Sequence, residues 1–558
     1  MNTPNPQTTC NPINLSYRFQ LEGISDTCCR EAADPSVVPF QGKLWLFASK
    51  SGGYWWSDDV KKWHFIPTST LPTEDYAPDV RVINDWLYCT ASAHEYACPI
   101  YRTQNPLADE WELVSKPFPF WDPNMFQDED GKVYLYWGCS DQDPLYACEM
   151  NPETMQSVGE TVSLFGGDAD AHGWERKSKD NRPTDNPPFI EGPWMTKHGG
   201  RYYLQYAGPG TEFNIYADGV YESHSPLGPF SYAENNPYSY KPGGFINGAG
   251  HGSTFEDKYA NLWHISTMSI SVNHMFERRL GIWPAGFDKD GVLFCNTRFG
   301  DYPHKHPDGP WKDPWQDTDT GWMLLNYGTT VQASSEDPEH GAKFISDEDS
   351  RTYWAAAQGD EAPVLIMDLE QECSIHAIQV NFAEFHCQTH GRPSGPVRHR
   401  YCIMGSNNES DWEMVVDKQD ASEDTPHDYV ELSSPLVYRY IKISIAEVPA
   451  QGRVALSGVR LFGVCEGPVP TQPQMISAQY HKDDELTACI HWRQVEGATG
   501  YNLRWGFAPD KLYHDWLVYG HNTLDLPALN RGQRTYVAVE AFNRSGVSKC
   551  SDIIEIGG

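Results

Sequence analysis

Three carboxylic acids stand at equivalent points of a repeated text: Asp34 before Pro35, Asp122 before Pro123, and Glu191 before Gly192-Pro193. Acids this far apart in a chain act together only if the fold brings them to one place. General acid/base chemistry then needs two of them in different states, one holding a proton to give and the other ready to take one from water. A third acid nearby raises the donor's pKa by like-charge repulsion and orients it. Asp beside Pro is also frequent in turns, where its carboxylate caps a neighbouring amide, and that reading applies to Asp34, Asp79 and Asp122 taken singly. Glu191 differs, because Glu is a poor turn residue and is depleted in strands, so Ile190-Glu191-Gly192-Pro193 reads as a carboxylate placed for use.

The elements that must position these acids are hairpins. Each unit opens on an acid-Pro or Gly-Pro text, continues as a short apolar strand, turns at polar residues and returns as an aromatic-rich strand. The units run from Asp34-Pro35 through Gly42-Lys43 to Trp45, from Pro78-Asp79 through Asn84 to Tyr88, and from Asp122-Pro123 through Gly131-Lys132 to Tyr136. Two more run from Glu191-Gly192-Pro193 through Gly200 to Tyr203 and from Gly250-His251-Gly252 through Asp257 to Trp263. Units about 40 to 70 residues apart, none able to bury its own face, predict a β-propeller. Residues 20–310 then form five four-stranded blades, and a propeller carries equivalent positions of all blades to its axis.

A chain of 558 residues is too long for one core and divides into two to four domains. The Pro-, Asp-, Gly- and His-rich stretch from Asp301 to Asp319 reads as a linker, and Gly467 to Pro473 as a second hinge. Residues 321–465 hold alternating strands at Pro363 to Leu369, Ala377 to Phe382, Tyr438 to Ile445 and Val459 to Phe462, the pattern of a β-sandwich. Residues 467–558 read as a smaller sandwich with Trp492, Tyr501, Leu503, Trp505, Tyr536, Val537 and Val539 inward. The expected fold class is therefore all-β: a five-bladed propeller followed by two sandwiches.

A net charge of −34 argues against nucleic acid or anionic lipid as a partner and suits a neutral ligand. The 20 Trp and 30 Tyr can stack on sugar faces as well as fill cores. The 14 Cys include no zinc-type spacing; Cys28-Cys29, and Cys489 with Cys550, are the candidates for oxidation. Met1 to Tyr17 lacks a basic start and an apolar run, so no signal peptide is read, and the expected compartment is either the cytoplasm or, after removal of a leader, the exterior. No run of 18 apolar residues offers a membrane span.

In order and spacing these texts resemble glycoside hydrolase family 43, the five-bladed propeller glycosidases. The resemblance rests on Ala33-Asp34-Pro35-Ser36-Val37-Val38, Ser57-Asp58-Asp59-Val60-Lys61-Lys62-Trp63, Tyr76-Ala77-Pro78-Asp79-Val80, Trp121-Asp122-Pro123-Asn124-Met125-Phe126, Ile190-Glu191-Gly192-Pro193, Ser225-Pro226-Leu227-Gly228-Pro229-Phe230 and Gly250-His251-Gly252-Ser253. It implies that Asp34 is the general base activating water, Glu191 the general acid, and Asp122 the acid that tunes Glu191. It implies for His251 a place under the funnel, beside a structural cation bound often through water; a hydrogen-bonded core histidine is the plain alternative. Either Arg278 or Arg279 matches the substrate-orienting arginine. Trp55, Trp56, Phe126, Trp137 and Trp194, near the acids in sequence, are candidates for the sugar platform, although packing between blades would also explain them. His172-Gly173-Trp174-Glu175-Arg176 is either a rim loop or surface structure.

Two other propeller families fit less well. Ser57 to Trp63 is a loose Asp-box that lacks its Gly, and Trp121-Asp122-Pro123-Asn124 echoes the invertase-like text but in the third unit. Residues 321–463 resemble a discoidin-type module, also classed as carbohydrate-binding module family 32, through Ala333-Ser334-Ser335, Phe344 to Trp354, Ile366-Met367-Asp368-Leu369 and Tyr440-Ile441-Lys442-Ile443. Within it Asp347, Asp349 and Thr352 offer hard oxygen ligands for a structural Ca²⁺, although Gly458 stands where the module usually has an acid. Residues 467–558 resemble fibronectin type III through Ala498 to Gly506 and Tyr536-Val537-Ala538-Val539. The expectation is an exo-acting, inverting glycosidase that needs no cofactor for chemistry and releases α-L-arabinofuranose or β-D-xylose from oligo- or polysaccharides. An exo-β-galactosidase and a non-hydrolytic glycan-binding propeller are the alternatives.

Overall fold

The computed structural model describes residues 7–21, 28–93, 95–393 and 395–557. Between Ala33 and Cys295 five antiparallel groups of four strands follow one another in chain order, the fourth and fifth joined by one parallel pairing of Ala217 with Ala249. Blade 1 is Ala33–Phe40, Lys43–Ser49, Gly53–Ser57 and His64–Pro67. The inner strands of blades 2 to 5 are Asp79–Ile83, Asn124–Gln127, Glu191–His198 and Asn247–Glu256. In blade 2 the first hairpin turns at Asn84-Asp85, whose φ of 48° and 63° define the type I′ turn that matches strand twist.

One polar side chain joins each blade to the next and closes the ring. Ser36 Oγ accepts from Val80 N at 2.9 Å, Asp79 Oδ2 from Met125 N at 2.7 Å, and Asn124 Oδ1 from Met195 N at 2.8 Å. Asp218, on the third strand of blade 4, accepts from His251 N and Gly252 N, and Ser253 Oγ accepts from Val37 N at 3.1 Å. Burial, set against the Arg81 charge, pushes the Asp79 carboxyl up to about 6, so this acid is a joint between blades.

The second unit is a sandwich built on two long paired strands, Val364–Phe382 and His427–Glu447, with Ala455–Cys465 on the other edge of the first. Cys373 and Cys465 face each other in that register and form a disulfide. The expected Cys28, Cys29, Cys489 and Cys550 are instead free thiols. The third unit pairs a sheet of Met475–His481, Asp484–Trp492 and Thr523–Leu526 with one centred on Gly500–Gly506 and Tyr536–Asn543. Its core takes Trp492, Tyr501, Leu503, Trp505, Val537 and Val539. Tyr536 is half-buried, one residue out of phase with inward Val537 and Val539.

The expected linker is a braced joint. His304–Lys305 pairs with Thr8–Thr9, and buried Asp301 binds Lys241 Nζ at 2.6 Å while its carbonyl accepts from Arg460 at 2.7 Å. His172 to Arg176 docks the third unit: Gly173 N donates to Leu529 O, and Arg176 grips Asp484 at 2.6 and 2.8 Å. Among the described residues no helix is long and apolar enough to cross a membrane.

Candidate active site

One local device delivers the key side chains. Asp34, Ala77, Asp122 and His251 have φ of 52°, 47°, 47° and 49°, and Gly192 has 59°, one left-handed residue at the head of each inner strand. Such non-glycine residues cost on the order of 1–3 kcal/mol each and collect at functional sites. The ladders slip at the same point, between Ala33 and Ser36, Glu191 and Trp194, and Gly250 and Ser253, and a bulge of this kind re-aims a side chain. In blade 4 the left-handed position is the glycine and the acid lies one residue earlier. A Cβ on Gly192 would stand 2.7 Å from the His251 ring, so glycine is required there for space as well as for φ.

Asp34, Asp122, Glu191, His251 and Arg278 line one cavity of about 360 Å³, at the small end of the range for ligand pockets. Asp34 Oδ2 accepts from Ser49 Oγ at 2.5 Å, and its Oδ1 accepts from Arg278 Nη1 at 3.2 Å. Burial raises the Asp34 pKa, but the charges of Arg278 and His251 outweigh it and hold the carboxyl below its ordinary value. Arg278 is itself fixed by Glu31, which accepts from Nε and Nη2.

Glu191 is arranged in the opposite sense. Burial first, then the charge of Asp122, pushes its carboxyl up to about 7, while His251 and a hydrogen bond from Tyr216 pull the other way. Tyr216 Oη donates to Oε1, and Cys139 Sγ donates to Oε2 at 3.4 Å. Asp122, which accepts from Ser92 Oγ at 3.2 Å, is also raised by burial, with His251 lowering it and Asp34 raising it. His251 Nδ1 stands 3.5 Å from Asp34 Oδ1 and 3.8 Å from Asp122 Oδ2. Burial disfavours its charge, but the surrounding acids prevail and raise its pKa. The cavity therefore holds one carboxyl biased toward its ionised form and one whose proton is retained to higher pH than usual.

Asp122, Glu191 and His251 present donor atoms within 4.8 Å of one another, a set that fits a cation. A cation bound there would compete with the Glu191 proton. In the second unit Asp347 accepts from Thr352 Oγ1 at 2.7 Å, but the Asp349 carboxylate turns to the Arg351 guanidinium at 3.0 and 3.1 Å. The Asp349 carbonyl accepts from Thr352 Oγ1 at 3.1 Å and its N–H donates to Asp347 Oδ1 at 3.2 Å, so the three expected calcium ligands stand together while the Asp349 carboxylate is ion-paired.

None of the aromatic candidates lines the cavity. Trp55 and Trp194 are fully buried, and Arg81 lies 3.5 Å over the Trp194 ring. Trp56 stacks on His64, Phe126 packs edge-on to Tyr202, and Trp137 packs against Phe118 and Tyr146. The lining aromatics are Tyr76, Trp121, Phe189 and Phe276, each one or two residues before the head of a strand or before Arg278. Adjacency to the acids at the strand entrance was the available signal; positions further along a strand face the neighbouring blade. Arg279 also lies outside the cavity, its guanidinium bound to His427 and Glu384 of the second unit. The interacting residues Tyr216, Cys139 and Glu31 have no signature in the sequence.

A propeller with three carboxyl groups converging in an axial cavity defines the class to which the first unit belongs. Residues 28–293 match glycosyl hydrolases family 43, and residues 330–457 match the F5/8 type C domain; the propeller is a family 43 domain followed by an F5/8 type C sandwich. A β-xylosidase of Xylanibacter ruminicola is 25% identical over 252 residues, 36% of this chain and 77% of that relative. A β-D-galactofuranosidase, xynD, of Aspergillus niger is 29% identical over 110 residues, 20% of this chain, and the match spans only 26% of that relative's length. Among solved structures, one titled Bacteroides ovatus Xyloglucan PUL GH43B aligns over 98% of both chains at 14% identity with a TM-score of 0.43. Another, titled Glycoside hydrolase, covers 77% of this chain and 97% of its own at 19% identity and a TM-score of 0.45.

Proposed function

We propose that the chain is an exo-acting, inverting glycoside hydrolase that releases a terminal pentose, β-D-xylose or α-L-arabinofuranose, from an oligo- or polysaccharide. The observation that carries this reading is the opposed poise of two acids in one small cavity, Asp34 ionised and Glu191 protonated up to about pH 7. Asp34 takes a proton from water as its oxygen attacks the anomeric carbon. The bond to the leaving oxygen breaks, and that oxygen receives the Glu191 proton. Such inversion needs roughly 6.5–9.5 Å between the carboxyls to admit the water. Asp122 keeps Glu191 protonated, and Arg278 keeps Asp34 charged.

The β-xylosidase relative supports the pentose; the galactofuranosidase match supports galactose release as the second reading. A panel of nitrophenyl glycosides, with NMR of the first-formed anomer, tests both the sugar and the mechanism. Asp34→Asn and Glu191→Gln should each lower turnover on the order of a thousandfold. Unchanged turnover, or retention of configuration, refutes the proposal. The third unit's two-sheet order supports its likeness to fibronectin type III. A structural cation beside His251 and Ca²⁺ at Asp347 with Thr352 are further proposals, tested by the change in Tm between Ca²⁺ and chelator.

A further inference from the structure

Arg278 and Arg279 are neighbours on the strand Arg278–Phe287, and successive strand residues point to opposite faces. Arg278 faces the cavity, where it binds Glu31 and Asp34. Arg279 faces the F5/8-type sandwich: Nε donates to His427 Nε2 at 2.7 Å and Nη2 to Glu384 Oε2 at 3.2 Å. The strand Cys28–Glu31 shows the same division. Its Glu31 holds Arg278, while Arg30 donates to both oxygens of Asp424 at 2.9 and 3.0 Å and lies 3.4 Å from Glu384. The strands are tied to each other as well, because Arg279 Nη1 donates to the Arg30 carbonyl. His427 Nδ1 bonds to Asn381 Oδ1 at 2.8 Å, which fixes the ring so that Nε2 accepts from Arg279.

We propose that Arg279 is a positioning residue through which the F5/8-type sandwich holds Arg278, and so the Asp34 carboxylate, in catalytic register. The inference rests on the reading of Asp34 as the base. The side chains of Arg30, Arg279 and Glu384 are at most 5% exposed, so water cannot replace a lost partner. Removing one partner of a buried ion pair leaves an uncompensated charge that destabilises its surroundings, here the two strands that carry Arg30 and Arg279. One sequence neighbour of each arginine, Glu31 after Arg30 and Arg278 before Arg279, belongs to the Asp34 support, and a displacement of about 1 Å in a reacting group lowers the rate about 100-fold. The sandwich is then a working part of the propeller's active site.

The test is kinetic and uses the full chain. Arg279→Lys and Glu384→Gln should lower kcat by about 10- to 100-fold with KM within about twofold, while near-UV circular dichroism reports a folded protein. In an Asp34→Asn background, the same substitutions should change the residual hydrolysis of an activated aryl glycoside by less than about twofold, because coupled groups are non-additive. Unchanged kcat in folded variants, or an equal loss in both backgrounds, overturns the proposal. If Arg279→Lys does not fold, Asp424→Asn probes the same joint through Arg30 with the same readouts. Should Asp34→Asn itself leave turnover intact, it is the assignment of the base that fails. Should Asp34→Asn abolish turnover while the joint variants stay fully active, only the positioning role fails.

Discussion

Replacing Asp122 by Asn tests how Glu191 is kept protonated. The two acids and His251 present donor atoms within 4.8 Å of one another. Two unit charges at that separation and an effective dielectric of about 20 interact by about 3.5 kcal/mol, equivalent to about 2.5 pH units at 1.36 kcal/mol each. His251 faces the same acids and its positive charge offsets part of that repulsion, so the expected effect is smaller, about one to two pH units. Burial, the larger cause of the Glu191 shift, persists in the variant. The wild type should lose kcat/KM on a basic limb near pH 7, and Asp122→Asn should move that limb to lower pH. The assay is the pH profile on an oligosaccharide whose poor leaving group needs the acid; a nitrophenyl glycoside should show a weaker dependence. A limb that stays near pH 7, or rises, refutes the assignment of Asp122 as the group that holds the proton on Glu191.

Tyr216→Phe removes a hydrogen bond that favours ionised Glu191 and should shift the same limb upward by a fraction of a pH unit, read from the same profile. Stability should respond to Glu191 as well. Its folded-state pKa of about 7 lies above the usual 4.5, so its stabilising contribution is complete below about pH 4.5 and is lost as pH rises through about 7. Glu191→Gln should therefore match the wild-type Tm near pH 4.5 and exceed it at pH 8, by up to about 3 kcal/mol of stability; an equal difference at both pH values would contradict the shift. Trp121→Ala, which opens the cavity wall, should raise KM at least tenfold, whereas Trp56→Ala, stacked on His64 away from it, should leave KM within twofold.

The repeated openings and the two-residue alternation within them made the all-β class and the convergence of Asp34, Asp122 and Glu191 legible, because a propeller carries equivalent register points to one axis. The same texts could not separate Arg278 from Arg279. Adjacent strand residues face opposite ways, and only the packing of the F5/8-type sandwich against blade 5 shows which of them looks into the cavity. Trp55, Trp56, Phe126, Trp137 and Trp194 are close to the acids in sequence, but positions inside a blade face its neighbour, and the cavity is walled by aromatics at the strand entrances. His172 to Arg176 carries no periodicity of its own, and its role appears only where Leu529 and Asp484 meet it.

By itself the sequence determined the local facts: which strands form, where they turn, and which acids head them. Tertiary structure decided the chemistry of those acids. The opposed protonation of Asp34 and Glu191 comes from burial and from the charges of Arg278, His251 and Asp122, and these groups become neighbours only when five blades close into a ring. Through-space electrostatics and desolvation depend on distances that no order of residues states.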